Sequence, residues 1–229
     1  VWARRIVGDT RQLRDEMRAT RHGLTGQLRI AVVPTALTWA ARLAARYGAA
    51  HPNVGLTILS RSSAQILTMI EDLQVDAGIS YLDNEPLGRV SAVPLYDERY
   101  SLVVPEDHPL AGAGVLDWAG LDGLRLCLLT PDMQNRRIIN RRLAEAGVTP
   151  LAMVESNSTV VLVSQVLAGG WVTILPQDIA GFLAQGKPLS LVLLAPEGPG
   201  HAVGLIAPWR EPHTPVLEAL LTEARRMVS

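Results

Sequence analysis

Short apolar runs alternate with amphipathic stretches along most of the chain. Runs rich in Val, Ile and Leu and bounded by Pro, Gly or Asn are typical of strands, whereas apolar residues spaced three and four apart are typical of helices. The first half of the chain therefore predicts strands over 28–33, 54–59 and 75–80, with helices over 36–50 and around Ile66, Leu67, Ile70 and Leu73. This β-α-β-α-β order is the unit of an open, mostly parallel sheet.

The same order returns in the second half of the chain, after two strands over 90–95 and 100–104 and a turn-rich stretch over 105–114. The repeat predicts strands over 124–129, 151–155 and 172–175, with helices over 133–146, 158–168 and 176–185. Strands over 189–194 and 202–207 and a closing helix over 215–228 follow. A theme that appears twice predicts an α/β fold of two similar Rossmann-like lobes.

The Gly- and Pro-rich stretch near 195–201 is expected to return the chain to the first lobe. Lobe I would then comprise residues 24–104 plus 202–229, and lobe II residues 105–201, joined by two crossover segments. Ligands of doubly wound sheets bind outside the carboxyl ends of the strands. The cleft between the two lobes is therefore the expected ligand site.

The first 23 residues predict a helix that precedes the lobes. Apolar residues form one stripe along it, with arginines around the stripe: Trp2, Ile6, Leu13 and Met17. Such a stripe must dock on the body of the protein or on a partner helix, and its near-coiled-coil period favours a partner. We therefore expect residues 1–23 to be a helix that packs on a partner helix and contributes to dimerisation.

Composition and charge narrow the class of protein. The chain has 229 residues, 48% of them hydrophobic, and a formal net charge of -1, which excludes a broadly basic nucleic-acid surface. Cys127, the sole cysteine, allows no intrachain disulfide and is expected to be a small buried apolar side chain. No signal peptide and no apolar run of membrane-spanning length is present, so we expect a cytoplasmic protein without a membrane partner.

Motifs for catalysis are missing from the sequence. There is no Gly-x-Ser-x-Gly elbow, phosphate loop or complete Gly-x-Gly-x-x-Gly fingerprint, and the five histidines lack metal-ligand spacing. We therefore expect no enzymatic activity, no cofactor and no metal site.

Hydroxyl side chains follow four of the predicted strands, at the ends that should face the cleft. The candidate ligand-binding residues are Thr35 with Ala36, Ser62 and Ser63, Thr130 with Gln134, and Ser158 with Thr159. Each hydroxyl could instead cap the helix that follows it, and for a single residue the two interpretations are equally plausible. Together with free N–H groups at helix starts, the hydroxyls suit a small anion or a carboxylate-bearing metabolite. Arg136 and Arg137 could add a cation, although we expect them to lie on a solvated helix face.

Several short stretches, in this order and spacing, resemble the effector-binding domain of LysR-type transcriptional regulators. They are Gly26-Gln27-Leu28-Arg29-Ile30-Ala31, His51-Pro52-Asn53-Val54, Val75-Asp76-Ala77-Gly78-Ile79, Pro94-Leu95-Tyr96-Asp97-Glu98, and the segment from Val166 to Pro176. The resemblance implies two lobes of the type II periplasmic-binding-protein kind, preceded by a linker helix. It also implies effector contacts at Thr35, Ser63 and Thr130, and a bacterial regulator whose winged helix-turn-helix is absent from this chain, so that DNA is reached only through that missing domain.

The resemblance further implies self-association as a homodimer or tetramer. Residues 36–50 and 54–60 would face residues 215–228 of a neighbour, where Leu217, Leu220 and Leu221 either lie in the contact or pack within the chain. Effector binding would change the arrangement of the lobes and act on the DNA-binding domains through the linker helices. The alternative function is a periplasmic solute-binding protein of a transporter, which shares the two-lobed architecture but would be monomeric.

Overall fold

The computed structural model describes residues 24–83, 85–150, 153–195, 200–209 and 212–228, with Met153 described by its backbone alone. The helix predicted over residues 1–23 lies outside the described residues. The chain folds as two compact units. The first comprises the described residues up to Tyr96 and from Ala202 onward, and the second comprises Asp97–His201.

The described residues form eleven strands and six helices. The strands are β1 (Gly26–Val32), β2 (Val54–Ser60), β3 (Ala77–Tyr81), β4 (Val90–Glu98), β5 (Tyr100–Pro105), β6 (Val115–Asp117), β7 (Leu126–Leu129), β8 (Met153–Ser156), β9 (Val172–Pro176), β10 (Leu189–Ala195) and β11 (His201–Pro208). The helices are α1 (Leu37–Ala50), α2 (Ser63–Glu71), α3 (Gln134–Glu145), α4 (Thr159–Leu167), α5 (Gln177–Ala184) and α6 (Pro215–Val228). Short 3-10 turns cover Pro34–Ala36 and Trp118–Leu121.

The sheet of the first unit has the strand order β2-β1-β3-β11-β4. β1 is parallel to both of its neighbours, and Val32 lies opposite Ser60 on one side and Ile79 on the other. β11 runs antiparallel to β3. Because β1, β2 and β3 point the same way, their carboxyl ends reach one edge of this sheet.

Helix α1 packs in the first unit through one apolar face. Its buried residues recur at helical spacing and form one face, namely Trp39, Ala40, Leu43 and Tyr47. The Tyr47 hydroxyl donates to the carbonyl oxygen of Val216 at 3.0 Å, and Arg46 pairs with Glu223 at 2.7 Å, so α1 is tied to α6. Leu217, Leu220 and Leu221 of α6 are buried within this unit. Of the two alternatives given for these leucines in the sequence analysis, this is packing within the chain.

The sheet of the second unit has the order β6-β10-β5-β9-β7-β8. β7 is parallel to β8 and β9, and Leu129 lies opposite Ser156 at the carboxyl ends of β7 and β8. β5 runs antiparallel to β9 and β10. A core of Val103, Cys127, Leu129, Leu162 and Val166 joins the sheet to α4.

The strands and helices differ from the predicted ones mainly at their ends. β6 and the 3-10 turn after it were not predicted, because three residues with a largely exposed surface give no apolar alternation. β5 pairs with strands of the second sheet. The break between the two units therefore precedes β5, whereas the lobes predicted from the sequence divide after it. Among the described residues, no helix combines the length and apolar character needed to cross a bilayer.

Candidate functional site

Thr35 lies where the chain leaves β1, in the turn Pro34–Ala36, and both Thr35 and Ala36 are buried. The Thr35 hydroxyl is 3.2 Å from the hydroxyl of Tyr81, the last residue of β3. Sequence reasoning missed Tyr81, although its place at the end of a parallel strand could have identified it. The two hydroxyls form a polar pair at the carboxyl edge of the first sheet.

Ser62 and Ser63 follow β2 at the same edge and differ in what their hydroxyls contact. Ser62 is the N-cap of α2: its Oγ accepts from the Gln65 backbone N–H at 3.4 Å, and its own N–H donates to Gln65 Oε1 at 3.0 Å. This reciprocal capping box accounts for Ser62 structurally. Ser63 is 3% exposed, and its Oγ has no hydrogen-bond partner among the described protein atoms. A buried hydroxyl without a partner needs an explanation, and a bound ligand is one.

Thr130 follows β7 at the carboxyl edge of the second sheet. Its backbone N–H donates to the Ser156 carbonyl oxygen at 3.1 Å, which fixes the residue between the ends of β7 and β8. The Thr130 Oγ1 atom is buried and lacks a partner in the part of the chain that the structure covers. Thr130 in the second unit and Ser63 in the first therefore share one feature, a buried hydroxyl without a partner among the described protein atoms.

The helix starts next to Thr130 lack side-chain caps. Met133 is the N-cap of α3 and Ser158 that of α4, and neither side chain accepts a bond from its helix. Gln134 and Thr159, the first residues of these helices, are buried. The positive end of the helix dipole at these two helix starts favours a bound anion.

Arg136 is buried and does not lie on a solvated helix face, so this expectation from the sequence was wrong. It is 3% exposed, and its Nη1 donates to the Leu129 carbonyl oxygen at 2.7 Å and to Glu155 Oε1 at 2.9 Å. Its Nε donates to Asn140 Oδ1 at 2.8 Å. Arg137 is half-buried and donates to the carbonyl oxygens of Pro131 and Asp132. Arg136 thus braces the end of β7, directly before Thr130.

Cys127 lies in the core of the second unit, as expected for a small apolar side chain. Burial disfavours the thiolate and raises the pKa of Cys127 to about 11. Its Sγ is 3.5 Å from the carbonyl oxygens of Leu162 and Val172, either of which can accept the single thiol proton. No group of three or more His, Cys, Asp and Glu side chains suited to a metal occurs within the described segments.

The structure thus brings the candidate residues together in two groups, one per unit. Thr35, Ala36, Ser62 and Ser63 lie at the carboxyl edge of the first sheet, and Thr130, Gln134, Ser158 and Thr159 at that of the second. The two α/β units, each with parallel strands next to an antiparallel one, have the sheet topology of the type II periplasmic-binding-protein fold.

A comparison with models of protein families identifies the family to which this chain belongs. The sequence model described as "LysR substrate binding domain" matches residues 21–229, so the chain belongs to the LysR family as its substrate-binding domain. The predicted family and fold class are confirmed. The match begins within the predicted linker helix and contains no helix-turn-helix.

Known relatives are transcriptional regulators. The "Probable hydrogen peroxide-inducible genes activator" of Mycobacterium avium is 29% identical over 185 residues, covering 80% of this chain and 59% of the relative. The chain spans about three fifths of the length of the curated relatives that it matches first.

Solved regulatory domains share the fold. The Synechocystis PCC6803 CcmR regulatory domain in complex with 2-PG has a TM-score of 0.79 at 16% identity, covering 90% of this chain and 98% of that chain. The effector binding domain of QuiR in complex with shikimate has a TM-score of 0.76 at 18% identity, covering 89% and 97%.

Proposed function

We propose that this effector-binding domain recognises a small anion or a carboxylate-bearing metabolite through the carboxyl edges of its parallel strands. The observation that carries the proposal is that two of the buried hydroxyl oxygens without a partner among the described protein atoms, Ser63 Oγ and Thr130 Oγ1, follow the carboxyl ends of β2 and β7. One lies at each edge, and a carboxylate oxygen could accept a hydrogen bond from either hydroxyl. That a single ligand contacts both edges stays a prediction.

Local electrostatics support an anion over a cation at the second edge. The starts of α3 and α4 have no acidic residue in the first turn and no side-chain cap. Of the carboxylates nearest in sequence to these helix starts, Glu155 before α4 is paired with Arg136, and Asp132 before α3 is exposed to solvent. The solved relatives that carry 2-PG and shikimate support a small polar metabolite as the class of effector.

A thermal-shift screen of small carboxylates and inorganic anions tests the proposal. A ligand at about 100 times its Kd stabilises the folded protein by about 2.7 kcal/mol. At about 2–4 °C per kcal/mol for a chain of this length, the melting temperature rises by about 5–10 °C. We expect Thr35→Val and Thr130→Val to abolish the shift given by the best anion.

Thr68→Val is the matched control, because the Thr68 hydroxyl donates to Ala64 within α2 and the residue is exposed. This variant should keep the full shift. A screen in which no anion raises the melting temperature, or in which Thr130→Val responds like the wild type, refutes the proposed effector class.

Peroxide sensing through a thiol is disfavoured for this domain, although the M. avium relative bears a peroxide-linked name. A thiol reacts with oxidants as an accessible thiolate. Cys127 is the only cysteine of the chain, is fully buried and has a raised pKa. The periplasmic solute-binding alternative is disfavoured by the family match, which is to regulators.

We also propose that the full-length protein acts as a cytoplasmic, non-enzymatic homodimer or tetramer and reaches DNA through a domain outside this chain. Residues 36–50 and 54–60 of one copy would face 215–228 of another. Light scattering of the chain as it stands tests the assembly, and a monomer at all concentrations would contradict it.

A further inference from the structure

A cavity of about 200 Å³ lies in the first unit, away from the candidate effector-binding edge. It is lined by Leu67, Ile70, Glu71, Leu73, Leu87, Arg89, Val90, Pro208 and Trp209. These residues stand at the end of α2, at the start of β4 and at the end of β11. Since α2 ends where the chain approaches the start of β3, and β11 runs antiparallel to β3, the cavity is at the amino ends of the parallel strands. It is therefore at the opposite edge of the sheet from Thr35 and Ser63.

Two features of the walls indicate a ligand. Trp209 is 68% exposed, an unusual position for a large ring, and it lines the cavity beside aliphatic side chains. Leu73 has a φ of 56° and is the one non-glycine residue with positive φ in the described segments. Glycine or asparagine is usual in this conformation after a helix. Here a leucine is kept in it, with its side chain in the cavity wall.

The rim carries one charge of each sign. Glu71 and Arg89 are both exposed cavity residues, and neither forms an ion pair or side-chain hydrogen bond within the described residues. A Cβ atom at Gly88 would lie 4.0 Å from Glu71 Oε1, which places the Glu71 carboxylate beside the chain segment that bears Arg89. A half-open cavity with both polar and apolar lining, and with a carboxylate and a guanidinium at its rim, is complementary to a molecule with one apolar group and two opposite charges.

We propose that this cavity is a second ligand site, which binds an aromatic α-amino acid as a zwitterion. The ring packs against Trp209 and the aliphatic side chains, and the volume of about 200 Å³ is large enough for one ring, since about 150 Å³ holds a benzene molecule. The carboxylate pairs with Arg89 and the ammonium with Glu71. This site is separate from the proposed anion-binding edge and does not depend on it.

Calorimetry with three probes tests the charge pattern: L-phenylalanine, phenylacetate, which lacks the ammonium group, and phenethylamine, which lacks the carboxylate. We expect L-phenylalanine to bind and the two single-charge probes to bind at least tenfold more weakly. Arg89→Gln and Glu71→Gln should each weaken L-phenylalanine binding about tenfold, and Trp209→Ala should abolish it. Arg29→Gln, an exposed arginine of β1 that does not line the cavity, should bind normally.

Thr130→Val separates the two proposals, because it should lose the anion-dependent thermal shift and keep L-phenylalanine binding. The second site is refuted if L-phenylalanine does not bind at millimolar concentration, or if phenylacetate or phenethylamine binds as well as the zwitterion. It is also refuted if Thr130→Val abolishes L-phenylalanine binding while Arg89→Gln leaves it intact. Circular dichroism melting confirms that the exposed Arg89 and Glu71 variants are folded.

Discussion

Replacing Arg136 with methionine tests whether a buried cation holds the end of β7 in place. Methionine keeps most of the side-chain length and apolar volume, so that the change removes chiefly the guanidinium. The wild-type group bonds the Leu129 carbonyl oxygen, Glu155 and Asn140 at 2.7, 2.9 and 2.8 Å. All three bonds are lost in Arg136→Met.

The contacts differ in what they contribute to stability. The bond to the carbonyl of buried Leu129 is charge-assisted and contributes about 1.5–3 kcal/mol. Glu155 is 38% exposed, so water stabilises its carboxylate after the change, and the ion pair contributes only about 0–1 kcal/mol. We expect Arg136→Met to lower the free energy of unfolding by about 2–4 kcal/mol and the melting temperature by about 4–16 °C.

Urea unfolding followed by circular dichroism measures this change, and Arg137→Met is the matched control. Arg137 is the next residue of α3, is half-buried, and donates to carbonyl oxygens of the exposed residues Pro131 and Asp132. Its loss should cost less than about 1 kcal/mol, as surface changes usually do. If the two variants unfold at the same urea concentration, the argument that Arg136 braces β7 is wrong.

Three further predictions follow from neighbouring side chains. Ser62→Ala should lose about 1 kcal/mol of stability because it removes the capping box of α2, whereas Ser63→Ala should keep or raise the unfolding midpoint and weaken anion binding; the opposite pattern would contradict these roles. Burial raises the pKa of Tyr47 to about 12 and that of Cys127 to about 11. The unfolded chain therefore loses these protons at lower pH than the folded one, and stability should be full below about pH 9 and fall as pH rises above it, by about 1.4 kcal/mol per unit of pKa difference. Urea titrations should show a shallower fall for Cys127→Ala, and an identical slope would count against the buried thiol. Ellman's reagent at pH 8 should leave Cys127 unreacted in the native protein and modify it fully in urea, while rapid native reaction would show an accessible thiol.

Much of the fold was predictable because its central strands are covered on both faces. β7 reads as a continuous apolar run, whereas β1 alternates polar and apolar residues until Ile30 and is apolar from there on, and helices such as α1 carry one apolar face. β6 escaped prediction because its pairing with β10 is set by tertiary contact and not by its own three residues. The same holds for β5, whose membership of the second sheet depends on partners distant in sequence.

The candidate site was predictable only as far as topology determines it. Hydroxyls after parallel strands had to reach one edge of a sheet, but sequence could not tell Ser62, a cap, from its neighbour Ser63. The four polar residues from Gln134 to Arg137 resembled a solvated helix face, yet Arg136 is buried because Glu155, distant in sequence, meets it at the end of β8. Tyr81 likewise joins Thr35 across a long sequence separation.

The unpartnered hydroxyls carry a stability cost that bears on function. Leaving a buried hydroxyl without a hydrogen bond costs a folded protein about 1–3 kcal/mol. Ser63 and Thr130 each carry this cost at a strand end, whereas Ser62, next to Ser63, is fully bonded. A ligand that bonds to either hydroxyl recovers the cost of that hydroxyl on binding, which then contributes to its affinity and not to the stability of the free protein. Thr130→Val should therefore melt at or above the temperature of the unliganded wild type while it loses the anion-dependent shift, and a lower melting temperature would show that Thr130 serves the fold instead.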